Sequence, residues 1–159
     1  MDKNIILIDF DHTLFNTTKF AENVDKLYGD INYKSFLYPD AEEFIKYASQ
    51  YGTPVLFSEG ELNFQLEKIK NTGIGKLFRE NVKVYPSYGK MADIKNLTNG
   101  HSVVLIDDKP EIVDMAISWG YKVIRVKRGK YIDSNSNLSP THEVESLRDI
   151  ISKDLLKKI

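Results

Sequence analysis

The chain has no cysteine. That excludes disulfides, thiolate metal sites and a cysteine nucleophile, and it fits a reducing compartment. It also lacks an excess of charge of either sign: 22 Lys and Arg stand against 23 Asp and Glu, a formal net charge of -1. Global charge therefore gives no sign of nucleic-acid binding, although a local basic site stays open. No apolar stretch approaches the length of a membrane span. The first apolar run, Ile5-Ile6-Leu7-Ile8, is too short for a signal peptide, and aspartates follow at once. These absences lead to the expectation of a soluble, cytoplasmic protein with no membrane partner. Histidine is scarce, with 3 copies far apart, which argues against His12 as a metal ligand beside Asp9 and Asp11. What remains is ordinary: 159 residues, 42% hydrophobic and 28% charged, enough for one domain with its own core.

The chain is organised around Asp9-Phe10-Asp11-His12-Thr13. The preceding Ile5-Ile6-Leu7-Ile8 has no polar interruption, so it reads as a strand buried on both faces. Two carboxylates two residues apart stand where that strand should end. A bend after Asp9 would let both converge on one spot. Buried there, they need a cation or a hydrogen-bond network to compensate them. The plainer alternative is an acidic turn in which Asp11 and Thr13 cap the next segment.

Further along, Ala21 to Tyr28 reads as a helix with Ala21, Val24, Leu27 and Tyr28 on one face and Gly29 at its end. Asp40, with Glu43 three residues on, predicts a capping box for a helix that Gly52 closes. Pro54 to Phe57 predicts a second strand ending at Ser58. The helix from Glu61 to about Asn71 should turn Leu62, Leu66 and Ile69 inward. A third strand is expected at Val82 to Tyr85, then a short helix from Lys90 to Leu97. The fourth strand, Ser102 to Ile106, ends at Asp107-Asp108, and Pro110 opens the next helix. Lys122 to Val126 predicts a fifth strand, Lys127 to Ser139 a polar surface loop, and Thr141 onward a last amphipathic helix carrying Val144, Leu147, Ile151 and Leu155. Strands alternating with helices imply an α/β fold, a doubly wound parallel five-stranded sheet of Rossmann-like type.

In such a sheet the carboxyl ends of the strands face one edge, where sites form. Placing the first strand between the second and fourth would gather Asp9, Asp11, Ser58, Lys90, Asp107 and Asp108 into one cleft. Hard oxygen ligands suit magnesium. The ion and a lysine neutralise a phosphate, and a neighbouring carboxylate can attack phosphorus to form an aspartyl-phosphate. Each residue also has a plainer reading. Ser58 and the Asp107-Asp108 pair could cap the helices that follow them, and Lys90 could be an exposed first-turn lysine, with Lys95 a weaker candidate for its role.

On these motifs, Asp9-x-Asp11-x-Thr13, Ser58, Lys90 and Asp107-Asp108 in that order, the chain resembles the haloacid dehalogenase superfamily of phosphohydrolases. The resemblance runs from Ile5 to Val126. It implies a magnesium-dependent phosphatase acting on a phosphomonoester. Asp9 would be nucleophile and metal ligand. Asp11 would give its backbone carbonyl to the metal, while its side chain protonates the leaving oxygen and then deprotonates water. Ser58 would bind a phosphoryl oxygen, with Thr13, Glu59 and Gly60 completing the substrate-binding set. Lys90 would neutralise phosphate and nucleophile. Of the acidic pair, Asp108 is expected to bind metal directly and Asp107 to partner Lys90. Asp11 favours a phosphatase over the family's dehalogenases, which lack an acid there.

The sequence departs from the family pattern in two places. Many members carry an acid where Ile112 stands, with Glu111 and Asp114 only nearby, and Glu59 would repel phosphate if it pointed inward. A phosphotransferase of the same fold and a non-catalytic phosphate-binding module are the alternatives. A response-regulator receiver would need an aspartate after the third strand, and Val82 to Tyr85 offers none.

The family's lids lie between the first motif and the second strand. Here only about Phe15 to Tyr38 is free for a small helical cap. A lid of that size implies an open cleft and a phosphorylated substrate that can be large: a nucleotide, a nucleic-acid end or a phosphoprotein. Lys127, Arg128 and Lys130 could contact its body, or be only a solvated rim, and Tyr85 and Tyr88 could stack on it.

Overall fold

The computed structural model describes residues 4–26 and 30–159. The first strand, β1 (Asn4–Ile8), is followed by α1 (Thr17–Asn23), then by α2 (Ala41–Tyr51), β2 (Gly52–Glu59), α3 (Leu62–Thr72), β3 (Val82–Tyr85), α4 (Lys90–Thr98), β4 (Val103–Asp107), α5 (Pro110–Ser118), β5 (Lys122–Val126), β6 (His142–Val144), α6 (Leu147–Ser152) and α7 (Leu155–Lys158). The strands form one sheet in the order β3-β2-β1-β4-β5-β6, with every pairing parallel. β1 therefore lies between β2 and β4, the arrangement that brings the motif-bearing ends together. Among the described residues, no helix is long and apolar enough to cross a membrane.

Side-chain alternation along β1 and β4 divides the core into two layers. Ile6, Ile8, Val104 and Ile106 pack with Phe44, Ile45, Ile69 and Leu147, on the face covered by α2, α3 and α6. Leu7, Leu105, Phe57 and Val123 pack with Met91, Ile94, Ile112 and Val113, on the face covered by α4 and α5. This is the doubly wound α/β arrangement read from the sequence, with six strands rather than five.

The sixth strand is His142–Val144, at the start of the stretch read as helix. Val144 does face inward, but on β6, level with Val126 of β5. The helix begins only at Leu147, where the Ser146 hydroxyl accepts the Asp149 N–H at 3.2 Å. Apolar residues at 144, 147, 151 and 155 satisfy a helical period although the first is on a strand, because three strand residues are too few to show alternation.

Three local expectations are corrected. The helix expected from Ala21 starts earlier, at Thr17, with the Asn16 side chain accepting the Lys19 N–H; Leu27, Tyr28 and Gly29 lie outside the described residues. Asp40 precedes α2 but makes no capping hydrogen bond with its side chain, and Gly52 is extended, opening β2 beside Asn4. The inward face of α3 is Gln65, Lys68, Ile69 and Thr72, while Leu62 and Leu66 are 52% and 42% exposed. From segment 15–38, Phe15, Phe20 and Phe36 join the main core: Phe20 lies 5.4 Å from Phe15 and 5.3 Å from Phe36, ring centre to ring centre.

Candidate active site

Register sets the floor of the site. Ile8 is level with Leu56 on one side and Ile106 on the other, and the Asp9 N–H donates to Ile106 O at 2.9 Å. Asp9 and Asp107 thus leave neighbouring strands at one height. Each follows a residue facing α2 and α3, so alternation turns both carboxylates toward α4. The first residue of α4 is Lys90, and its ammonium lies 3.0 Å from Asp9 Oδ1 and 2.6 Å from Asp107 Oδ2. It also donates to Phe57 O at 3.3 Å. Lys90 is therefore buried and central, whereas Lys95 is exposed.

Asp107 is fully engaged, since its Oδ1 accepts the Lys109 N–H at 2.9 Å. Asp108 is not. Its Oδ1 lies 3.3 Å from the Thr13 hydroxyl, and its Oδ2 is buried without a hydrogen-bond partner among the described residues. The Thr13 hydroxyl is equally 3.3 Å from Asp9 Oδ2, so it sits between the two acids. Carboxylate oxygens of Asp9, Asp107 and Asp108 come within 4.8 Å of one another.

This floor carries too little positive charge. Burial, and then Asp107, push the Asp9 carboxyl up to about 7 despite Lys90. Burial, and then Asp9, push Asp108 well above the usual carboxylate range. Burial opposes the Lys90 ammonium, but Asp107 and Asp9 outweigh it and raise its pKa above the ordinary lysine value. Three acids facing one lysine, with a bare buried oxygen on Asp108, are the donor set a hard divalent cation fits.

Asp11 belongs to a different wall. The chain turns sharply after Phe10, whose carbonyl accepts the N–H groups of Leu14 and Phe15 at 2.9 and 3.0 Å, and His12 takes a left-handed φ of 62°. Asp11 and Asp9 line the same cleft of about 310 Å³. The Asp11 carboxylate, however, is held by Lys68 Nζ at 2.8 Å, Thr17 Oγ1 at 2.8 Å and Gln65 Nε2 at 2.7 Å. Lys68 is buried and lies 4.8 to 5.6 Å from the ring centres of Phe64, Phe15 and Phe10. Gln65 also donates to Ser58 Oγ at 2.9 Å.

Sequence reasoning missed Lys68, Gln65 and Thr17. A signal was present: Gln65, Lys68 and Thr72 form a polar stripe at helical spacing directly after Ser58.

The other expected residues are placed unevenly. Ser58 is fully buried behind the cleft wall, against Gln65. The Gly60 N–H is spent on Tyr85 O at 2.8 Å, and a Cβ there would come within 2.9 Å of Gln65. Gly60 thus makes room for Gln65 and has no N–H to offer a phosphate. Glu59 does line the cleft, with its carboxylate 3.9 Å from Lys109 Nζ. Glu111 is 62% exposed, and Asp114 accepts the N–H groups of Asn137 and Leu138, so neither replaces the acid absent at Ile112. Tyr85 is bonded to Asp93 at 2.9 Å and packed on Phe57, away from the cleft, whereas Tyr88 lines it.

The basic patch divides. Arg128 grips Asp40 with two contacts of 3.0 Å, donates to Thr13 O and stacks 3.7 Å from the Tyr38 ring centre. Asp40 is taken up by Arg128 and the Arg148 N–H, which is why it does not cap α2. Lys127 reaches Asn135 at 2.8 Å. Of the three, Lys130 alone lines the cleft.

Fold and floor together match the haloacid dehalogenase superfamily of hydrolases. Solved structures share the architecture. A haloacid dehalogenase-like hydrolase from Burkholderia xenovorans LB400 matches with a TM-score of 0.79 at 18% identity, over 100% of each chain. L-2-haloacid dehalogenase from Xanthobacter autotrophicus, with chloropropionic acid covalently bound, gives 0.69 at 12% identity over 98% of this chain and 99% of that one. D,D-heptose 1,7-bisphosphate phosphatase from B. bronchiseptica, complexed with magnesium and phosphate, gives 0.65 at 14% identity over 98% and 99%. At such identities the likeness is one of fold. No curated protein matches by sequence. The family model of NLI interacting factor-like phosphatases matches residues 4–144, and the chain belongs to that family.

Proposed function

We propose that this protein is a magnesium-dependent phosphatase that hydrolyses a phosphomonoester through an aspartyl-phosphate on Asp9. The observation that carries the reading is the unbalanced floor: Asp9, Asp107 and Asp108 converge on Lys90, and Asp108 Oδ2 is left bare. Asp9 and Asp108, with the Asp11 backbone carbonyl, would hold the ion, which supplies positive charge toward the phosphoryl oxygens.

The protein's own groups do the rest. Lys90, fixed by Asp107, orients the Asp9 carboxylate and neutralises a phosphoryl oxygen. Thr13 keeps Asp9 and Asp108 in register. An Asp9 oxygen bonds to phosphorus as the bond from phosphorus to the leaving oxygen breaks, and Asp11 gives that oxygen its proton. Asp11 then takes a proton from water, whose oxygen attacks phosphorus; the bond to Asp9 breaks and inorganic phosphate leaves. Lys68 and Gln65 hold Asp11 in place. The Thr17 hydroxyl, which can rotate, is the neighbour able to accept from Asp11 when it carries the proton. Ser58 supports this wall through Gln65.

Segment 15–38 acts as a small cap on a single domain. It leaves the cleft open to a phosphoryl group on a larger body. The test is phosphate release from a generic aryl phosphate, expected to require magnesium and to stop on chelation. Full activity in chelator would overturn the metal role. No release from any phosphate ester in magnesium would overturn the phosphatase reading.

A further inference from the structure

The cleft continues outward into a second hollow of about 280 Å³. The two share Tyr88, Lys109 and Tyr131, and the outer one adds Pro110, Glu111, Ser134 and Asn135 but none of the catalytic acids. A phosphoryl group at Asp9 therefore directs its substituent past those three shared side chains.

Their chemistry is specific. Tyr88 is 76% exposed and has a left-handed φ of 64°, a costly conformation for a bulky residue. No packing need explains the ring, which stands in solvent with Lys109 Nζ 4.8 Å from its centre. Tyr131 is anchored from behind, its carbonyl accepting from buried Arg125 at 3.0 Å. Its ring meets His12 edge-on at 6.4 Å, and Lys130 Nζ lies 5.4 Å from its centre. The rim thus presents two aromatic rings, each beside an ammonium group; Lys109 Nζ also lies 3.9 Å from Glu59 and 3.9 Å from Glu111, whereas Lys130 makes no ion pair among the described residues.

We infer that the leaving group is a nucleoside, its base stacking on Tyr88 and Tyr131 while Lys130 meets the charge of the nucleotide; this rests on the phosphatase reading above. Every base has a π face, and rings beside cationic side chains are the sequence-tolerant means of holding one. A sugar alone presents hydroxyls and C–H groups to a ring, and no π face. A peptide that bound by strand addition would need an open strand edge, and the edge strands here, β3 and β6, lie at the flanks of the sheet. A free nucleotide and a phosphorylated oligonucleotide end share the inferred chemistry.

The test compares kcat/KM in magnesium for adenosine monophosphates, a 3′-phosphorylated oligonucleotide, glycerol phosphate and a phosphoserine peptide. The nucleotide or the oligonucleotide should exceed glycerol phosphate by roughly tenfold or more, and Tyr88→Ala or Tyr131→Ala should cut that ratio about tenfold. If the oligonucleotide wins and its affinity falls steeply with salt, the source is a nucleic-acid end; if the mononucleotide wins, it is a free nucleotide. A phosphopeptide that wins, or a ratio unmoved by either tyrosine variant, overturns the inference. Equilibrium binding of a fluorescent adenosine monophosphate to the full chain, with and without Tyr88→Ala, reads the groove independently of turnover. Binding weakened about tenfold by the substitution supports the groove even if every ester resists hydrolysis, in which case only the phosphatase reading fails. Equal binding overturns it.

Discussion

The floor of the cleft and its rim are built on opposite plans. On the floor, Asp9, Lys90 and Asp107 are buried at strand ends and a helix start, and each charge has a fixed partner within 3.0 Å. On the rim, Tyr88 and Lys130 are exposed, and Lys130 makes no ion pair among the described residues. Burial makes electrostatics strong and geometry rigid, which the proposed reaction at phosphorus needs. A water-exposed rim can only select by contact area and weak attraction. The basic patch shows the same divide within four residues: Arg128 is a structural clamp, while Lys130 faces the cleft.

The largest expected effect tests the floor. Asp9→Asn removes the proposed nucleophile with little change in volume, so turnover should fall at least about a thousandfold while the circular dichroism spectrum stays native. A wild-type rate would show that another residue attacks phosphorus. Asp11→Asn should cost about a hundredfold on an alkyl phosphate and distinctly less on an activated aryl phosphate, whose leaving group needs less protonation. Equal losses on both esters would remove the acid role.

Next in size is the contrast between Asp108 and Asp107. Asp108→Asn should raise the magnesium concentration for half-activity by about tenfold, and by more than Asp107→Asn, because Asp107 is already satisfied by Lys90 and the Lys109 N–H. The reverse order would exchange their roles. The same excess of acid predicts a pH effect without metal. Asp9 rises from 3.8 unfolded to about 7 folded, so its protonated form favours the folded state. Its contribution is complete below about pH 4 and is lost as pH rises through about 7. The metal-free protein should therefore melt lower at pH 8 than at pH 5, and magnesium should restore the difference. A flat profile would mean that the floor is not short of positive charge.

The smallest effects separate clamp from rim. Arg128→Ala strands the Asp40 carboxylate and should lower unfolding free energy by about 2–4 kcal/mol. Lys130→Ala should change it by less than about 0.5 kcal/mol. Denaturant titration of both variants decides the comparison, and equal losses would erase it.

The helix α3 shows why part of the site was hidden in the sequence. Apolar Leu62 and Leu66 look like core residues by period alone, yet they face solvent while Gln65 and Lys68 point inward. The polar residues win the interior because Asp11 and Ser58 wait there for partners, and a charge buried against its counter-ion costs far less than one left unpaired. Asp40 gives the same lesson. Its spacing to Glu43 reads as a capping box, but Arg128, 88 residues away, takes the carboxylate. Short-range rules cannot see a partner supplied by the fold.

What the sequence by itself determined is the alternation of strands and helices and the acids and lysine set at their ends. Apolar runs broken by Asp9, Asp107 and the turn before Lys90 leave a parallel sheet few other ways to bury its faces. Tertiary structure alone decided which oxygen is spoken for. Register places Asp9 level with Asp107, side-chain alternation aims both at Lys90, and only then does Asp108 remain with a buried oxygen that no group among the described residues satisfies. The split between otherwise identical aspartates, and the separate wall that holds Asp11, come from contacts across 17 to 95 residues of chain, a range at which spacing in sequence carries no geometric information.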